Sequence, residues 1–341
     1  VETLLRRPQT AKKVDLMSKF TFIDLFSGIG GFHLAATANG GECLFSSDID
    51  LAAQKVYQSN YHIKPVGDIT KVKSCDIPDH DMLCAGFPCQ PFSIMGNRLG
   101  FDDMRGTLFY EVTRILKDKK TPLLVLENVK QLSTHDNKRT IARIVESLLS
   151  IGYKVFWNVL NALDYGLPQK RERTIIVGFL DADVNFSWPQ KIKPYKSLNE
   201  ILEKIIDSKY FASERIRNKR GESHTSKFYP SIWHENKAGN ISSYQYSCAL
   251  RAGASYNYLL VNGERRLTPR EMLRLQGFPD TFKIVCTDSE TRKQVGNAVP
   301  VPMIEAVIRE VLNAATQTEG FKKKSGSRSL SNRRVPLRSH L

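Results

Sequence analysis

The feature that most constrains this chain is an apolar strand running directly into a glycine-rich turn. Residues 21–26 read Thr-Phe-Ile-Asp-Leu-Phe and are followed by Ser27, Gly28, Ile29, Gly30 and Gly31, after which the spacing predicts a helix over 32–38. Strand, tight turn and helix form the opening unit of an open α/β sheet, and glycine lets a ligand approach the backbone closely. Helix N-terminal amides are available at such a turn. The turn lacks the GxGxxG spacing of dinucleotide folds and the Lys-Ser/Thr of a P-loop. The unit then repeats. Residues 43–47 predict a strand, with Asp48 at its C-terminal end before a helix over 51–60. A carboxylate there is placed to accept hydrogen bonds from a ribose diol, although Asp48 or Asp50 also reads as a cap on that helix. Asp68, in the run Gly67, Asp68, Ile69, Thr70, offers a third edge to the same ligand. With no phosphate cradle, the pattern suits an adenosine cofactor without polyphosphate better than NAD or ATP.

A fourth strand leads through Cys84, Ala85, Gly86, Phe87 and Pro88 to Cys89. Cys84 follows an apolar run and reads as a core thiol. Cys89 reads equally as a core thiol and as a reactive one. It sits on a polar turn, restricted by the preceding proline, where its pKa could be lowered. Residues 94–107 contain glycine, Arg98 and Arg105, the composition of a loop that closes over a substrate. The next strand, 123–126, ends in Glu127, Asn128 and Val129, and polar groups at successive strand ends converge on one crevice. Further on, Arg171 and Arg173 lie on the approach to a strand at 174–179. Charge there is costly unless paired or facing a ligand.

Composition bounds the rest. Hydrophobic residues make up 41% and charged residues 25% of 341, as in a soluble globular protein. No apolar run is long enough to cross a bilayer, and residues 1–19 do not resemble a secretory signal. The six cysteines show neither CxxC nor Cys/His metal spacing, which suits an intracellular protein with free thiols and no metal site. Formal charge is +15, with seven positives and no acid in residues 320–341. A polyanionic partner, nucleic acid above all, is one reading of that charge, and solubilising charge on a solvated face is the other. Residues 198–260 are basic and rich in turns and aromatics. Lys209, Arg215, Arg217, Lys219, Arg220 and Lys227 are available there to phosphates, while some of the aromatics must form a core. Thr268 and Pro269 predict a helix start, and residues 303–315 predict a final helix packing back on the first domain. The expected division is an N-terminal extension (1–20), a catalytic and cofactor-binding domain (21–189), a recognition domain (190–262), a return segment (263–316) and a basic, disordered tail (317–341).

Taken together, FIDLFSGIGG at 22–31, Asp48, GDIT at 67–70, GFPCQPFS at 86–93, ENV at 127–129, QKRER at 169–173, LTPREMLRLQGFP at 267–279 and QVGNAVP at 294–300 closely resemble the cytosine-C5 DNA methyltransferases, especially the bacterial modification enzymes. The resemblance spans about residues 21–315. It implies a Rossmann-like α/β S-adenosylmethionine-dependent methyltransferase sheet with a smaller target-recognition domain and duplex DNA in the cleft. On this chain it makes Cys89 the nucleophile and Glu127 the group bonding the cytosine N3 edge, supported by Asn128. Arg173 would address the O2 side, and Arg171 would be a second active-site arginine. Phe26, Gly28, Gly31, Asp48, Ile49, Asp68, Pro88 and Asn297 resemble cofactor-site positions. Residues 89–106 resemble a loop closing on DNA, with Ser93, Arg98 and Arg105 among its contacts. Some relatives carry Glu where this chain has Asp48, which preserves the carboxylate with a shorter reach.

The implied reaction transfers a methyl group from S-adenosyl-L-methionine to C5 of a flipped cytosine, leaving S-adenosyl-L-homocysteine. The implied setting is the bacterial cytoplasm, with a monomer bound to double-stranded DNA. A cognate endonuclease would share the site without a stable complex, and no membrane is involved. The rivals are a transfer-RNA cytosine methyltransferase, which shares these motifs, and a non-catalytic DNA-binding protein, in which Cys89, Glu127 or Arg173 should have been lost.

Overall fold

The computed structural model describes residues 19–88, 108–192 and 194–318. Cys89, Ser93, Arg98, Arg105, residues 1–18 of the expected extension and residues 319–341 of the basic tail lie outside the described residues.

The chain begins with β1 (Phe20–Leu25), α1 (Gly31–Ala38), β2 (Gly41–Ser47), α2 (Leu51–Tyr61) and β3 (Met82–Ala85). It continues with α3 (Leu108–Lys119), β4 (Leu123–Val129), α4 (Arg139–Ser150), β5 (Lys154–Asn161), β6 (Gln169–Lys170) and β7 (Glu172–Phe179). The central strands are buried almost throughout, with all of β3 and all but the last residue of β4 inside. Strands covered on both faces are expected to read as continuous apolar runs, as these do. Six strands form one sheet in the order β2-β1-β3-β4-β7-β5. On one face Phe22, Met82, Cys84, Val125 and Val177 pack with α1 residues such as Phe32 and Ala36. On the other, Ile23, Leu83, Leu124 and Leu126 meet α3 through Val112 and Ile115 and α4 through Ile141 and Ile144.

From β1 the chain steps outward to β2 and then returns across β1 to β3. That reversal opens a crevice beyond the C-terminal ends of β1 and β3, where open α/β sheets bind ligands. The strand approaching Cys89 is therefore third in the chain. The segment before Asp68 adds only an isolated bridge between Ser47 and Val66. The sheet is also not fully parallel, because β7 runs antiparallel to both β4 and β5. The start of β7 thus lies beside the end of β4, with Arg173 opposite Val129.

The second half supplies α5 (Leu198–Ile201), α6 (Glu214–Ser223), β8 (Ile232–Glu235), β9 (Ile241–Tyr244), β10 (Ser247–Cys248) and β11 (Leu259–Val261). β11, β8 and β9 make a three-stranded antiparallel sheet, whereas β10 pairs with β6 at the foot of the catalytic strands. Leu198, Ile232, Leu250 and Leu259 join the same apolar cluster as Phe22. The chain then forms α7 (Pro269–Leu275), α8 (Asp288–Asn297) and α9 (Val301–Thr316). A reciprocal box starts α7, with Thr268 Oγ1 accepting from Glu271 N at 3.1 Å and Thr268 N donating to Glu271 Oε2 at 2.9 Å. α9 returns against α1, where the Asn39 amide donates to the Glu305 carbonyl at 3.1 Å. Among the described residues no helix is long and apolar enough to cross a membrane, and no His/Cys/Asp/Glu group could hold a metal.

Candidate active site

The crevice holds a cavity of about 460 Å³. Its walls are the loop after β1 (Phe26, Gly28, Gly31), the end of β2 (Asp48, Ile49), Asp68, Pro88 and Asn297 of α8. All eight positions that the sequence pointed to as cofactor-binding therefore meet in one place. Asp48 organises it. Its carboxylate accepts from Gly28 N at 2.7 Å and from Asp50 N at 2.8 Å, tying the glycine loop to the end of β2. Phe26 and Gly28 both hold φ +54, in the left-handed region that side chains other than glycine rarely adopt. At Gly31 an added Cβ would sit 2.7 Å from the Val299 side chain, so only glycine lets the α8–α9 connection close over the loop. The two acids of the second unit divide their work. Asp50 caps α2 by accepting from Ala52 N and Ala53 N at 3.0 and 3.2 Å, and Asp48 keeps its carboxylate on the cavity.

Burial raises the Asp48 carboxyl, opposed mainly by those two backbone amides. Asp68 uses Oδ1 to hold Thr70 N and Oγ1 at 3.0 and 2.7 Å, and these bonds lower its pKa. An acid at the end of β2 and an exposed apolar Ile49 beside it, with Lys293 the one cation lining the cavity among the described residues, suit a ribose and an adenine rather than a pyrophosphate. The sequence did not single out Lys293, which lines the cavity from α8 and pairs with Asp50 at 2.9 Å. A lone lysine in a polar helix carries no local signal.

Beneath the glycine loop, Tyr61 donates to the carbonyls of Ile29 and Gly30 at 3.2 and 2.9 Å and stacks on His33 with centroids 3.9 Å apart. Burial lowers His33 to about 4, so its imidazole is neutral there. Asp24 is fully buried in β1, with the His33 backbone N–H and the Tyr57 hydroxyl as the donors acting on its carboxyl. Burial, then the charge of Asp48, push its pKa well above 3.8. With a raised folded pKa, the stability it contributes is complete below 3.8 and is lost as pH rises from there through the folded value. Asp24→Asn cannot ionise. Its melting temperature relative to the unaltered protein is therefore expected to improve steadily with pH, and thermal melts across a pH series read this directly; a constant difference overturns the assignment.

At the other end of the cavity, Glu127 and Asn128 stand at the end of β4. Arg173 Nε lies 2.7 Å from Glu127 Oε1, an ion pair whose N–H points off the line of a hydrogen bond. Their side chains are 13% and 9% exposed, so the pair is largely shielded from water, with Glu127 on the cavity wall and Arg173 behind it. Asn128 lines the cavity, but its side-chain polar groups are spent on backbone. Its amide donates to the Phe87 carbonyl at 2.8 Å and its Oδ1 accepts from Val129 N at 2.8 Å, pinning the turn that delivers residue 89. Glu127 borders the same turn, because a Cβ built on Gly86 would lie 3.9 Å from Glu127 Oε2.

Two expectations require correction. Arg171 is 1% exposed and does not enter the cavity. Its guanidinium donates to the carbonyls of Leu250 (2.8 Å), Gly296 (2.9 Å) and Ala298 (2.8 Å). Burial, then the charge of Arg173, lower it to about 9. Arg220 is 2% exposed, bonded to Glu235 at 2.6 Å and to the Asn257 carbonyl, and so is withdrawn from any phosphate. Helical periodicity turns position 220 inward. Arg215, Arg217 and Lys219 of α6 are exposed, as is Lys227.

This arrangement matches the family of C-5 cytosine-specific DNA methylases, which aligns with residues 20–313. Type II methyltransferase M.HaeII of Haemophilus aegyptius is 53% identical over 301 residues, covering 87% of this chain and 94% of that protein. Type II methyltransferase M.NgoBI of Neisseria gonorrhoeae is 54% identical over 287 residues, covering 83% and 90%. Among solved structures, a DNMT2 mutant of Spodoptera frugiperda superposes with a TM-score of 0.68 at 20% identity, covering 86% of this chain and 99% of that one, a likeness of fold. The chain belongs to the C-5 cytosine-specific DNA methylases. Its methyl donor is accordingly S-adenosyl-L-methionine, and S-adenosyl-L-homocysteine is the product.

Proposed function

We propose that this protein methylates C5 of a cytosine flipped out of a short duplex DNA sequence, as the modification half of a restriction-modification pair. The observation that carries the reading is that one cavity is lined both by the adenosine-type site and by Glu127, next to the turn leading to Cys89. When bound, S-adenosyl-L-methionine supplies an electrophilic methyl carbon. The chain's own residues then account for the rest. The Cys89 thiolate adds to C6, breaking ring conjugation and placing an electron pair at C5. With cytosine in place, Glu127 hydrogen-bonds the N3 edge and delivers a proton there as negative charge develops, while Arg173, its ion-pair partner in the free protein, holds it in place and faces the O2 side. After C5 is methylated, transfer of its proton to solvent water restores the double bond and expels the Cys89 sulfur as thiolate. A base stacked in B-DNA cannot reach these groups, so the cytosine must leave the stack.

Ser93, Arg98 and Arg105, within residues 89–106, contact the DNA, and Arg215, Arg217, Lys219 and Lys227 meet phosphates. The protein works as a monomer in the bacterial cytoplasm, and an endonuclease cutting the same site acts without a stable complex. Bisulfite sequencing of plasmid DNA from expressing cells should show one protected sequence. In parallel, the purified protein should label duplex DNA with a radioactive methyl donor; labelling confined to transfer RNA overturns the DNA assignment.

A further inference from the structure

We infer that Arg171 is a positioning residue that couples seating of DNA on the segment around Arg251 to cofactor binding, through a buried hydrogen-bond junction. The inference rests on the function proposed above. The junction has three members, Gln169, Arg171 and Gln276, each at most 1% exposed. Gln169 Oε1 accepts from Leu250 N at 3.0 Å, and its Nε2 donates to the Leu275 carbonyl and to Gln276 Oε1 at 2.9 and 3.2 Å. Gln276 Nε2 donates in turn to the carbonyls of Val295 and Ala298 at 2.8 and 3.2 Å. Arg171 spans the group, with one amine on Leu250 and the other on Gly296 and Ala298.

These carbonyls belong to two functional segments. Gly296 and Ala298 flank Asn297, which lines the cofactor cavity. Leu250 precedes Arg251, which is exposed and lies over the Tyr258 ring at 4.8 Å. Arg251 is presented by backbone held on both sides, since its own N–H donates to Tyr258 Oη at 3.0 Å. Exposed Lys170 is close by, since β6 places it opposite Cys248 of β10, three residues before Arg251. A cationic pair on rigid backbone is suited to phosphates or to a guanine edge. The two segments also touch directly, since a Cβ on Gly296 would strike the Ala252 nitrogen. A shift of the 250–252 backbone must therefore be accommodated at 296–298, and reciprocity requires the cofactor to act back on DNA binding.

Coupling is measured as the ratio of S-adenosyl-L-homocysteine dissociation constants without and with a duplex carrying the site mapped by bisulfite sequencing. Wild type is expected to give a ratio of about 10. Arg171→Met should bring it below about 3, and Arg171→Lys, which keeps charge but loses the fork, should not restore it. Gln276→Met interrupts the junction elsewhere and should lower the ratio as well, which serves if the Arg171 variants fail to fold. A purely structural role would lower melting temperature and leave the ratio unchanged. Such an unchanged ratio, or none in wild type, overturns the inference, whereas a wild type that binds the cofactor product but no duplex overturns the DNA reading itself.

Discussion

Cys89→Ala is expected to abolish methyl transfer, by about four orders of magnitude or more, while leaving duplex binding intact. The size follows from the chemistry. C5 of cytosine becomes nucleophilic only after addition at C6, so no slower route substitutes for the thiolate, and loss of an enzyme nucleophile costs rates of this order. Binding should survive because the turn before residue 89 is fixed independently. The Asn128 amide holds the Phe87 carbonyl at 2.8 Å whatever follows Pro88. Single-turnover transfer of a labelled methyl group measures the loss, and a filter or mobility assay measures binding. A duplex carrying 5-fluorocytosine sharpens the test, since fluorine cannot leave C5 as a proton does. The unaltered protein should form a denaturant-stable adduct with it, and Cys89→Ala should form none. Cys84→Ala is the control. That thiol is fully buried, and burial, then Asp24, push its pKa well up, so adduct formation should not depend on it. Appreciable turnover by Cys89→Ala, or an adduct that requires Cys84, overturns the covalent mechanism.

The contrast between these cysteines shows how far the sequence carries. Strand, glycine turn and acid at the next strand end are local patterns, and local sterics decide them. Gly28 and Asp48 accordingly met in one cavity, as their places at successive strand ends implied. What local pattern cannot encode is pairing between distant segments. The reversed direction of β7 brings Arg173 alongside β4, and nothing in residues 172–179 distinguishes an antiparallel neighbour from a parallel one. Arg171 and Arg173 lie two apart and look alike in the chain. One faces Glu127, while the other reaches carbonyls at positions 250, 296 and 298, which come together only after the second half has folded back. Arg220 fails for a similar reason. It lies in a basic run, but the interior supplies Glu235 and the Asn257 carbonyl to bond it, which favours burial over exposure.

Glu127 carries the second large effect, and its two simplest substitutions should separate its chemical role from its structural one. Glu127→Gln keeps the shape and can still donate a hydrogen bond to N3. It cannot pass a proton, and it loses the charge facing Arg173. Methyl transfer should fall about 10²–10³-fold, the cost of removing one preorganised group aimed at developing charge. Glu127→Ala should do worse and also unsettle the fold. It strands the Arg173 guanidinium, whose side chain is 13% exposed and whose other described bond is to the adjacent Glu172 carbonyl at 2.8 Å. Breaking a shielded pair from one side costs about 3–5 kcal/mol when burial is complete, and this partly open site should lie toward the lower end. Removing both members in Glu127→Gln with Arg173→Met should therefore recover much of the melting temperature lost by Glu127→Ala without recovering activity. Chemical denaturation and single-turnover rates on the same variants separate the two effects. If stability and activity return together in the double variant, the pair is scaffolding and the N3 edge is addressed by another group. If activity alone stays lost, Glu127 acts on the cytosine and Arg173 is the group that holds it there.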